Sequence, residues 1–300
     1  ISDCLVGSEM CIRDRSGAVF GEKLGWERAN WFADTGEEPR DIYTFGLPNW
    51  HSAVAREHKA AREAAVLFDQ TSFAKYILTG PDAEQALQWI ASNRVDKPVG
   101  SIIYTQMLND NGGIECDLTC VRTKFNEYYI TTGTGYATHD FDWISRNIPS
   151  ELNAQLIDVT SSNAVLSLFG PNARDILQLV TVNDVSDNGH PFGSARQISI
   201  AGCLVLAMRI TYVGELGWEL HLPVEYAQTV YNKLIEAGSP LGLRNAGYRA
   251  IETLRLEKGY RAWSSDIGPD HTPDEAGLGW AVKMKSNISF KGRDAIEKQR

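Results

Sequence analysis

The chain has 300 residues, 43% of them hydrophobic, and its 38 acidic and 29 basic residues give a formal net charge of −9. A chain of this size can bury a large core, in one large domain or in two packed ones. Its acidity argues against general binding to nucleic acid or to an anionic membrane surface, because both require clustered basic residues. No run of about 18 apolar residues occurs in the sequence, so we expect no membrane-spanning helix.

Residues 1–15 have no hydrophobic period and look like a translated sequencing-adaptor tail, which we exclude from the fold. Three cysteines then remain, Cys116, Cys120 and Cys203. In an extended strand Cys116 and Cys120 would lie roughly 13 Å apart, too far for a disulfide. They are therefore predicted to be small core residues in a reducing compartment, the cytoplasm, or the mitochondrial matrix if the source is eukaryotic.

The most informative pattern along the chain is an internal repeat. A helix is predicted over 52–67. After it, two stretches share a strand, the motif Gly-Pro-[Asp/Asn]-Ala and a helix: "YILTGPDAEQALQWI" (76–90) and "LSLFGPNARDILQLV" (166–180). Proline favours the first helical turn, and Asp82 or Asn172 favours the cap, so each copy predicts a strand that leads into a capped helix. The simplest interpretation is two related halves.

Hairpins followed by helices complete both halves. The first half predicts a hairpin with its turn at 109–113, a strand at 127–132 and a helix near 137–147. The second half predicts a hairpin that bends at 201–202, a strand that continues to Tyr212, a Gly-rich break, and then "WELHL" followed by helices near 225–237 and 246–258. This order predicts the α+β class with antiparallel sheets.

Common cofactor and metal motifs are missing from the sequence. "GTGYAT" (133–138) lacks the third glycine of a dinucleotide loop, and there is no phosphate loop or Gly-x-Ser-x-Gly elbow. The histidines are scattered along the chain rather than spaced as metal ligands, so no metal site is predicted.

The stretch "GGIECDLTC" (112–120) predicts a strand with one apolar and one polar face. Side chains alternate along a strand, so Asp117 and Thr119 share a face, roughly 7 Å apart. One small ligand can contact both side chains.

"YTQMLNDNGGIECDLTCVR" and "ITYVGELGWELHLP" together resemble the folate-binding module of the glycine-cleavage aminomethyltransferase and of the C-terminal half of sarcosine and dimethylglycine dehydrogenases. "FGEKLGWERANWF", "NAGYRAIETLRLEKGYRAW" and "DHTPDEAGLGW" resemble the dehydrogenase branch, nearest to sarcosine dehydrogenase. The likeness extends over 16–300.

The resemblance implies the aminomethyltransferase folate-binding fold, with two related antiparallel-sheet/helix halves and a truncated C-terminal barrel domain. It implies five segments: the artefact 1–15, a linker 16–50 from a missing FAD-dependent domain, a first half 51–160, a second half 161–285, and the start of the barrel at 286–300.

In that family the strand carboxylate at the position of Asp117 is catalytic, and Tyr104, Thr119, Tyr212 and Glu219 match its tetrahydrofolate contacts. A carboxylate such as Glu219 can accept both adjacent donors of a pterin edge. Asp117 can take the proton released when a folate nitrogen attacks an iminium or formaldehyde, or stabilise the cation.

One position departs from the aminomethyltransferase pattern. Its helix "ARDxLRLE" has an arginine tied to folate where this chain has Ile251, and Arg249 lies on a different side of the helix. How the folate glutamate tail is bound is therefore an open question.

The resemblance implies a flavin-dependent dehydrogenase of sarcosine or dimethylglycine, whose FAD lies in the missing domain and whose folate-binding portion captures the one-carbon unit as 5,10-methylenetetrahydrofolate. The partners implied are the small-molecule substrate and folate, with no nucleic acid and no membrane, and the oligomeric state stays open. Two alternatives remain: an aminomethyltransferase acting on a lipoyl-carried group, and a non-catalytic folate-binding or regulatory relative.

Overall fold

The computed structural model describes residues 16–300, and the predicted adaptor tail 1–15 lies outside the described residues. The described chain divides into two compact units that exchange segments along the sequence. Unit 1 comprises 16–72, Ser161–Phe192 and Arg196–Tyr260, and unit 2 comprises Phe73–Thr160, Gly193–Ala195 and Arg261–Arg300.

The predicted helices and strands occur in the predicted order, with additional strands and short 3-10 turns between some of them. The first elements are β1 (Ala18–Lys23), β2 (Trp26–Phe32), α1 (His51–Glu63), β3 (Ala65–Asp69), β4 (Ala74–Thr79), α2 (Ala83–Ile90), β5 (Ile102–Leu108), β6 (Ile114–Lys124), β7 (Glu127–Thr132), α3 (Ala137–Asn147) and β8 (Gln155–Asp158). Then come β9 (Asn163–Phe169), α4 (Ala173–Val180), β10 (Ala195–Ile200), β11 (Cys203–Met208), β12 (Gly217–Pro223), α5 (Ala227–Gly238), β13 (Leu243–Asn245), α6 (Tyr248–Glu257) and α7 (Arg293–Gln299).

Unit 1 contains a six-stranded sheet of order β10-β11-β12-β9-β3-β13 and the separate hairpin β1-β2. The apolar side chains of β9 and β12 alternate, so Leu168 and Trp218 pack with Ile176 of α4 and Val230 of α5. A second cluster, which includes Phe68 of β3, packs with α1 and α6. The sheet is not wholly antiparallel, because β13 pairs with β3 in parallel.

Unit 2 contains a five-stranded sheet of order β5-β6-β7-β4-β8. Every pairing within it is antiparallel. One face forms a core in which Leu118, Tyr128 and Tyr76 pack with Leu87 of α2 and Ile144 of α3. The α+β class with antiparallel sheets is thus confirmed in its main feature.

The predicted duplication is confirmed down to single side chains. Unit 2 has the order β5-β6-β7-β4-β8, and the first five strands of the unit 1 sheet repeat it as β10-β11-β12-β9-β3. After α2, the Gln88 amide donates to the Asn93 carbonyl at 2.9 Å and accepts from the Val95 N–H at 2.9 Å. After α4, Gln178 makes the same pair of bonds, at 3.1 Å to Asn183 and at 3.5 Å from Val185.

The expected side-chain caps at Asp82 and Asn172 are wrong. Both residues stand at the N-cap positions of α2 and α4, yet neither side chain bonds to its own helix. Asp82 instead accepts from the Asn153 N–H at 2.8 Å, and the Asn172 amide donates to the Leu241 carbonyl at 2.9 Å. Each side chain therefore ties its helix start to a neighbouring segment.

Two further expectations differ from the structure. The strand expected to reach Tyr212 ends at Met208, and the next one begins at Gly217. The segment 16–50, expected as a linker, contains the β1-β2 hairpin, whose Trp31 is fully buried. The segment 286–300, expected as the start of a truncated barrel domain, contains α7, and no closed barrel occurs within 16–300. The predicted domain boundaries stay a prediction.

The three free cysteines are buried, as predicted for small core residues. Among the helices of residues 16–300, none has both the length and the apolar character that a bilayer crossing demands.

Gly170 tests the strand-to-helix turn of the repeat. It has φ +131°, and an added Cβ would lie 2.5 Å from the Ala64 carbonyl oxygen and 2.7 Å from Ala65 Cα. We expect Gly170→Ala to lower the free energy of unfolding by about 2–5 kcal/mol, through backbone strain and overpacking. Gly202→Ala is the matched control, because Gly202 has φ +80° with nothing within 4 Å, and it should cost only about 1 kcal/mol. Urea unfolding measures both variants. An equal loss of unfolding free energy in Gly170→Ala and Gly202→Ala would contradict the steric explanation.

Candidate functional site

Asp117 lies on β6, on the sheet face opposite the core of unit 2. The register of the β5-β6 hairpin places Gln106 opposite Asp117 and Tyr104 opposite Thr119. Residues directly opposite on neighbouring strands present their side chains to the same face. The structure therefore brings together three predicted residues, Tyr104, Asp117 and Thr119, and adds Gln106.

The Asp117 carboxylate is held by two donors from β5. The Gln106 amide donates to Asp117 Oδ1 at 2.9 Å, and the side chain of Tyr104 is also hydrogen-bonded to this carboxylate. Burial raises the pKa of Asp117 to about 6, although both hydrogen bonds lower it, and the nearby charge of Asp140 raises it further. A carboxylate with such a pKa can accept a proton near neutral pH.

The polar face continues across the sheet to a buried lysine. Thr119 lies opposite Thr131 of β7, and Thr131 lies opposite Lys75 of β4. Burial lowers the pKa of Lys75 to about 8, while the charge of Asp158 opposes that shift. Lys75 lies inside β4 and was not among the residues singled out from the sequence.

Cys116, His139 and Asp140 form a second polar group beside this face, with one potential metal-ligand atom each, all within 4.8 Å of one another. His139 Nδ1 lies 2.9 Å from Asp140 Oδ1, and the Thr132 hydroxyl donates to Asp140 Oδ2 at 2.5 Å. The hydrogen bond to Asp140 raises the pKa of His139, and burial raises that of the Cys116 thiol, which is also bonded to Asp140. Hydrogen bonding to Asp140 is sufficient to explain this arrangement.

Two tryptophans from the last segment of unit 2 stand beside the hairpin. Trp280 stacks on Tyr104 with ring centroids 5.6 Å apart, and Trp263 lies 5.3 Å from the His139 ring. The Trp263 indole N–H donates to the Ile114 carbonyl at 2.8 Å, which fixes the ring at the start of β6. These aromatic rings, which sequence reasoning missed, can contact a flat ligand.

Glu219 lies in unit 1, on β12. Its neighbours across the sheet are Met208 of β11 and Ser167 of β9. The side chain is 12% exposed, and one carboxylate oxygen lies 3.5 Å from Nε2 of the buried His221. The predicted acid is therefore largely withdrawn from water.

Tyr212 also lies in unit 1, in the bend between β11 and β12. Its ring stacks on that of Tyr260 at 6.1 Å and packs against the apolar cluster that contains Val213 and Ile251. The nearby Glu215 pairs with Arg62 at 2.8 Å, which ties the bend to α1. Of the five predicted residues, Tyr104, Asp117 and Thr119 thus share one strand pair of unit 2, and Tyr212 and Glu219 belong to unit 1.

Ile251 and Arg249 have the surroundings of structural residues. Ile251 is 5% exposed within an apolar cluster. The two terminal nitrogens of Arg249 donate to Asp41 at 2.8 and 2.7 Å, and its guanidinium lies 3.7 Å from the centre of the Trp50 ring. Arg249 is therefore engaged by residues of the 16–50 segment.

The sequence matches the protein family described as "GCVT N-terminal domain" over residues 12–286. This chain belongs to the GCVT family. Its fold agrees with that of a solved aminomethyltransferase T of the glycine cleavage system from Bartonella henselae. The TM-score is 0.80, with 26% identity and coverage of 96% of this chain and 72% of the other. The predicted aminomethyltransferase fold is confirmed.

Two relatives of this chain are longer proteins. Human mitochondrial sarcosine dehydrogenase is 39% identical over 322 aligned positions, which cover 95% of this chain and 35% of the relative. The mitochondrial pyruvate dehydrogenase phosphatase regulatory subunit of mouse is 35% identical over 96% of this chain and 33% of its own length. The chain thus spans about a third of the length of these relatives.

The raised pKa of Asp117 predicts a pH-dependent stability. Because the pKa of about 6 exceeds the ordinary 3.8, the folded protein binds this proton more tightly than the unfolded chain. The stabilisation from this bound proton is complete below about pH 4 and is lost as pH rises through 6. We expect Asp117→Asn to be more stable than the wild type by about 1–3 kcal/mol at pH 7.5, with no difference near pH 4.

Urea unfolding at several pH values measures this difference. Asp142→Asn is the control, since Asp142 is an exposed residue paired with Arg146 on α3. If the difference in unfolding free energy between the wild type and Asp117→Asn is the same at pH 4 and at pH 7.5, the raised pKa of Asp117 is contradicted.

Proposed function

We propose that this chain is the tetrahydrofolate-binding portion of a flavin-dependent sarcosine or dimethylglycine dehydrogenase. In this proposal it captures the one-carbon unit from oxidative N-demethylation as 5,10-methylenetetrahydrofolate. The flavin, FAD, would be held outside this chain. The identity to sarcosine dehydrogenase over 95% of the chain supports the assignment to this branch.

The observation that carries the proposal is the setting of Asp117. A carboxylate on the sheet face opposite the core, held by Tyr104 and Gln106 and with its pKa raised by burial to about 6, has the properties of a general base near neutral pH. A purely structural acid on a sheet surface would be solvated and would keep an ordinary pKa.

The residues on this face suit a reduced folate. Bound tetrahydrofolate supplies the nucleophilic nitrogen that takes up the one-carbon unit. Asp117 accepts the proton released in this transfer, or stabilises positive charge as it develops. Tyr104 orients the carboxylate, and its stack with Trp280 offers an aromatic surface to a flat ring.

For Glu219 we propose the recognition of the pterin edge. Its side chain is 12% exposed, so a parallel pair of hydrogen bonds from adjacent ring donors would be formed largely out of water. Tyr212 and Thr119 are proposed as further contacts of the folate.

A regulatory role is the second candidate, because one relative similar over 96% of this chain is a regulatory subunit. A regulatory relative would bind folate or another ligand without turnover. Activity measurements on Asp117 variants separate the two functions.

In the complete protein, we expect Asp117→Asn to lower the rate of 5,10-methylenetetrahydrofolate formation from sarcosine by about 10²–10⁴-fold. Dye-linked oxidation of sarcosine should stay unchanged, because that chemistry belongs to the flavin. In the wild type the transfer rate should rise as pH increases through about 6, as Asp117 loses its proton. Methylene-folate is measured by enzymatic coupling, and the dye by absorbance.

Asp142→Asn, which changes an exposed acid of the same unit, is expected to leave both rates unchanged. Equal methylene-folate formation by wild type and Asp117→Asn would exclude the proposed base and favour the regulatory role.

Glu219→Gln tests the proposed pterin contact. The amide keeps the size of the side chain but can accept only one of two parallel donors, so we expect the Kd for tetrahydrofolate to rise about 10-fold or more. Anaerobic titration calorimetry measures this change. Glu225→Gln, at an exposed residue just after β12, is the control, and an unaltered Kd in Glu219→Gln would remove Glu219 from the binding site.

A further inference from the structure

Arg28 of β2 has no charged partner among the described residues. Its guanidinium lies 3.9 Å from the centre of the Tyr248 ring, the one interaction of this side chain within 16–300. Its Nε atom is buried and has no hydrogen-bond partner. Such an arrangement is unusual, because a buried donor is normally satisfied.

Other arginines of the described chain show how different Arg28 is. Four further arginines have a buried Nε without a partner, namely Arg122, Arg174, Arg209 and Arg255. In each of them the terminal nitrogens are bonded. Those of Arg122 donate to the Lys97 and Phe125 carbonyls, and those of Arg209 to His190 and Asp187. Arg174 bonds Asp187, and Arg255 bonds the Tyr260 carbonyl and Glu252.

A guanidinium removed from part of its water without an anion costs free energy, and an anionic ligand would offset that cost. The ring of Tyr248 lies against the guanidinium. The terminal N–H groups of Arg28 have no acceptor among the described residues. This geometry suits a carboxylate, which can accept two parallel N–H bonds from arginine.

The position of Arg28 bears on how the folate glutamate tail is bound when Ile251 stands in place of an arginine. Tyr248 precedes Ile251 by three residues on α6, so the two side chains share one face of the helix. Tyr248 and the proposed folate contact Tyr212 also pack against the same apolar cluster as Ile251. Arg28 thus brings a cation to the helix face from which an arginine side chain is missing.

Three arginines of unit 1 are paired with acids: Arg249 with Asp41, Arg62 with Glu215 and Glu257, and Arg244 with Asp34. Arg28, in contrast, has no ion pair among the described residues.

We propose that Arg28 binds a carboxylate of the glutamate tail of the folate, in place of the arginine that Ile251 replaces. This assignment rests on the proposed function, since it requires that the chain bind a reduced folate. It is separable from that function, because a pterin without the tail offers Arg28 no carboxylate.

The test compares two ligands by anaerobic titration calorimetry with the full chain: tetrahydrofolate and tail-less 6-methyltetrahydropterin. Arg28→Gln is expected to raise the Kd for tetrahydrofolate about 10- to 100-fold and to leave the Kd for the tail-less pterin unchanged. The Kd of Arg28→Lys for tetrahydrofolate should lie between those of the wild type and Arg28→Gln, because lysine keeps the charge but lacks the paired N–H donors of arginine. Raising the salt concentration should weaken tetrahydrofolate binding to the wild type more than to Arg28→Gln.

Arg244→Gln is the matched control, as it removes an exposed cation of the same unit, and it should bind both ligands like the wild type. If Arg28→Gln does not fold, modification of the wild type by phenylglyoxal replaces it. Tetrahydrofolate should slow the labelling of Arg28, read by peptide mass spectrometry, and the tail-less pterin should not.

The outcomes separate the two proposals. A wild type that binds neither ligand overturns both. If the wild type binds both ligands, the role of Arg28 is overturned by either of two results, and the proposed function stands. The first is that Arg28→Gln weakens the binding of both ligands equally or of neither. The second is that tetrahydrofolate and the tail-less pterin have the same effect on the labelling of Arg28.

Discussion

The register of the β5-β6 hairpin decides whether Asp117 can act at all. Side chains alternate along a strand, so a slip of one residue would turn Asp117 into the core and expose Cys116 and Leu118. The turn at 109–113 and the register shift between Met107 and Leu108 together set this pairing. The Asn109 N–H donates to the Gly113 carbonyl at 2.9 Å, and the Gly113 N–H donates back to Asn109 Oδ1 at 2.9 Å. Local turn chemistry thereby fixes the environment that raises the pKa of a carboxylate several residues away.

The last segment of unit 2 holds this turn in place from outside. A Cβ at Gly113 would lie 1.7 Å from the Pro269 carbonyl oxygen, so only glycine allows this approach. The Ile114 N–H donates to the His271 carbonyl at 3.0 Å, and Lys291 pairs with Asp110 at 2.5 Å. The segment that supplies the aromatic rings beside Asp117 therefore also supports the hairpin that carries it. Binding surface and support come from the same stretch of chain.

Sequence reasoning succeeded where one local pattern determines the outcome. Alternation on "IECDLTC" placed Asp117 and Thr119 on one face. Counting back from the turn would have placed Gln106 opposite Cys116, because the register shifts by one residue between Met107 and Leu108. It failed where distant segments compete for a side chain, as at Asp82, which bonds to the Asn153 N–H rather than capping its own helix. The proximity of Cys116 to His139 depends on how α3 packs against β6, and no local spacing encodes that packing.

The duplicated architecture explains why acids occur where they do in both units. In each unit, two helices cover one face of the sheet, so that face must be apolar. In unit 1, α1 and α6 also cover part of the opposite face, and the strand positions outside that cover can carry charge. Leu118 of β6 faces α2 and α3, so its neighbour Asp117 faces away from them. Trp218 and Leu220 of β12 face α4 and α5, so Glu219 faces away in the same sense. The two acids nevertheless occupy different strands of the repeat, since β6 corresponds to β11 and β12 to β7. Duplication thus repeats the sheet and its helix-covered face in both units, whereas the two acids stand on strands that do not correspond to each other.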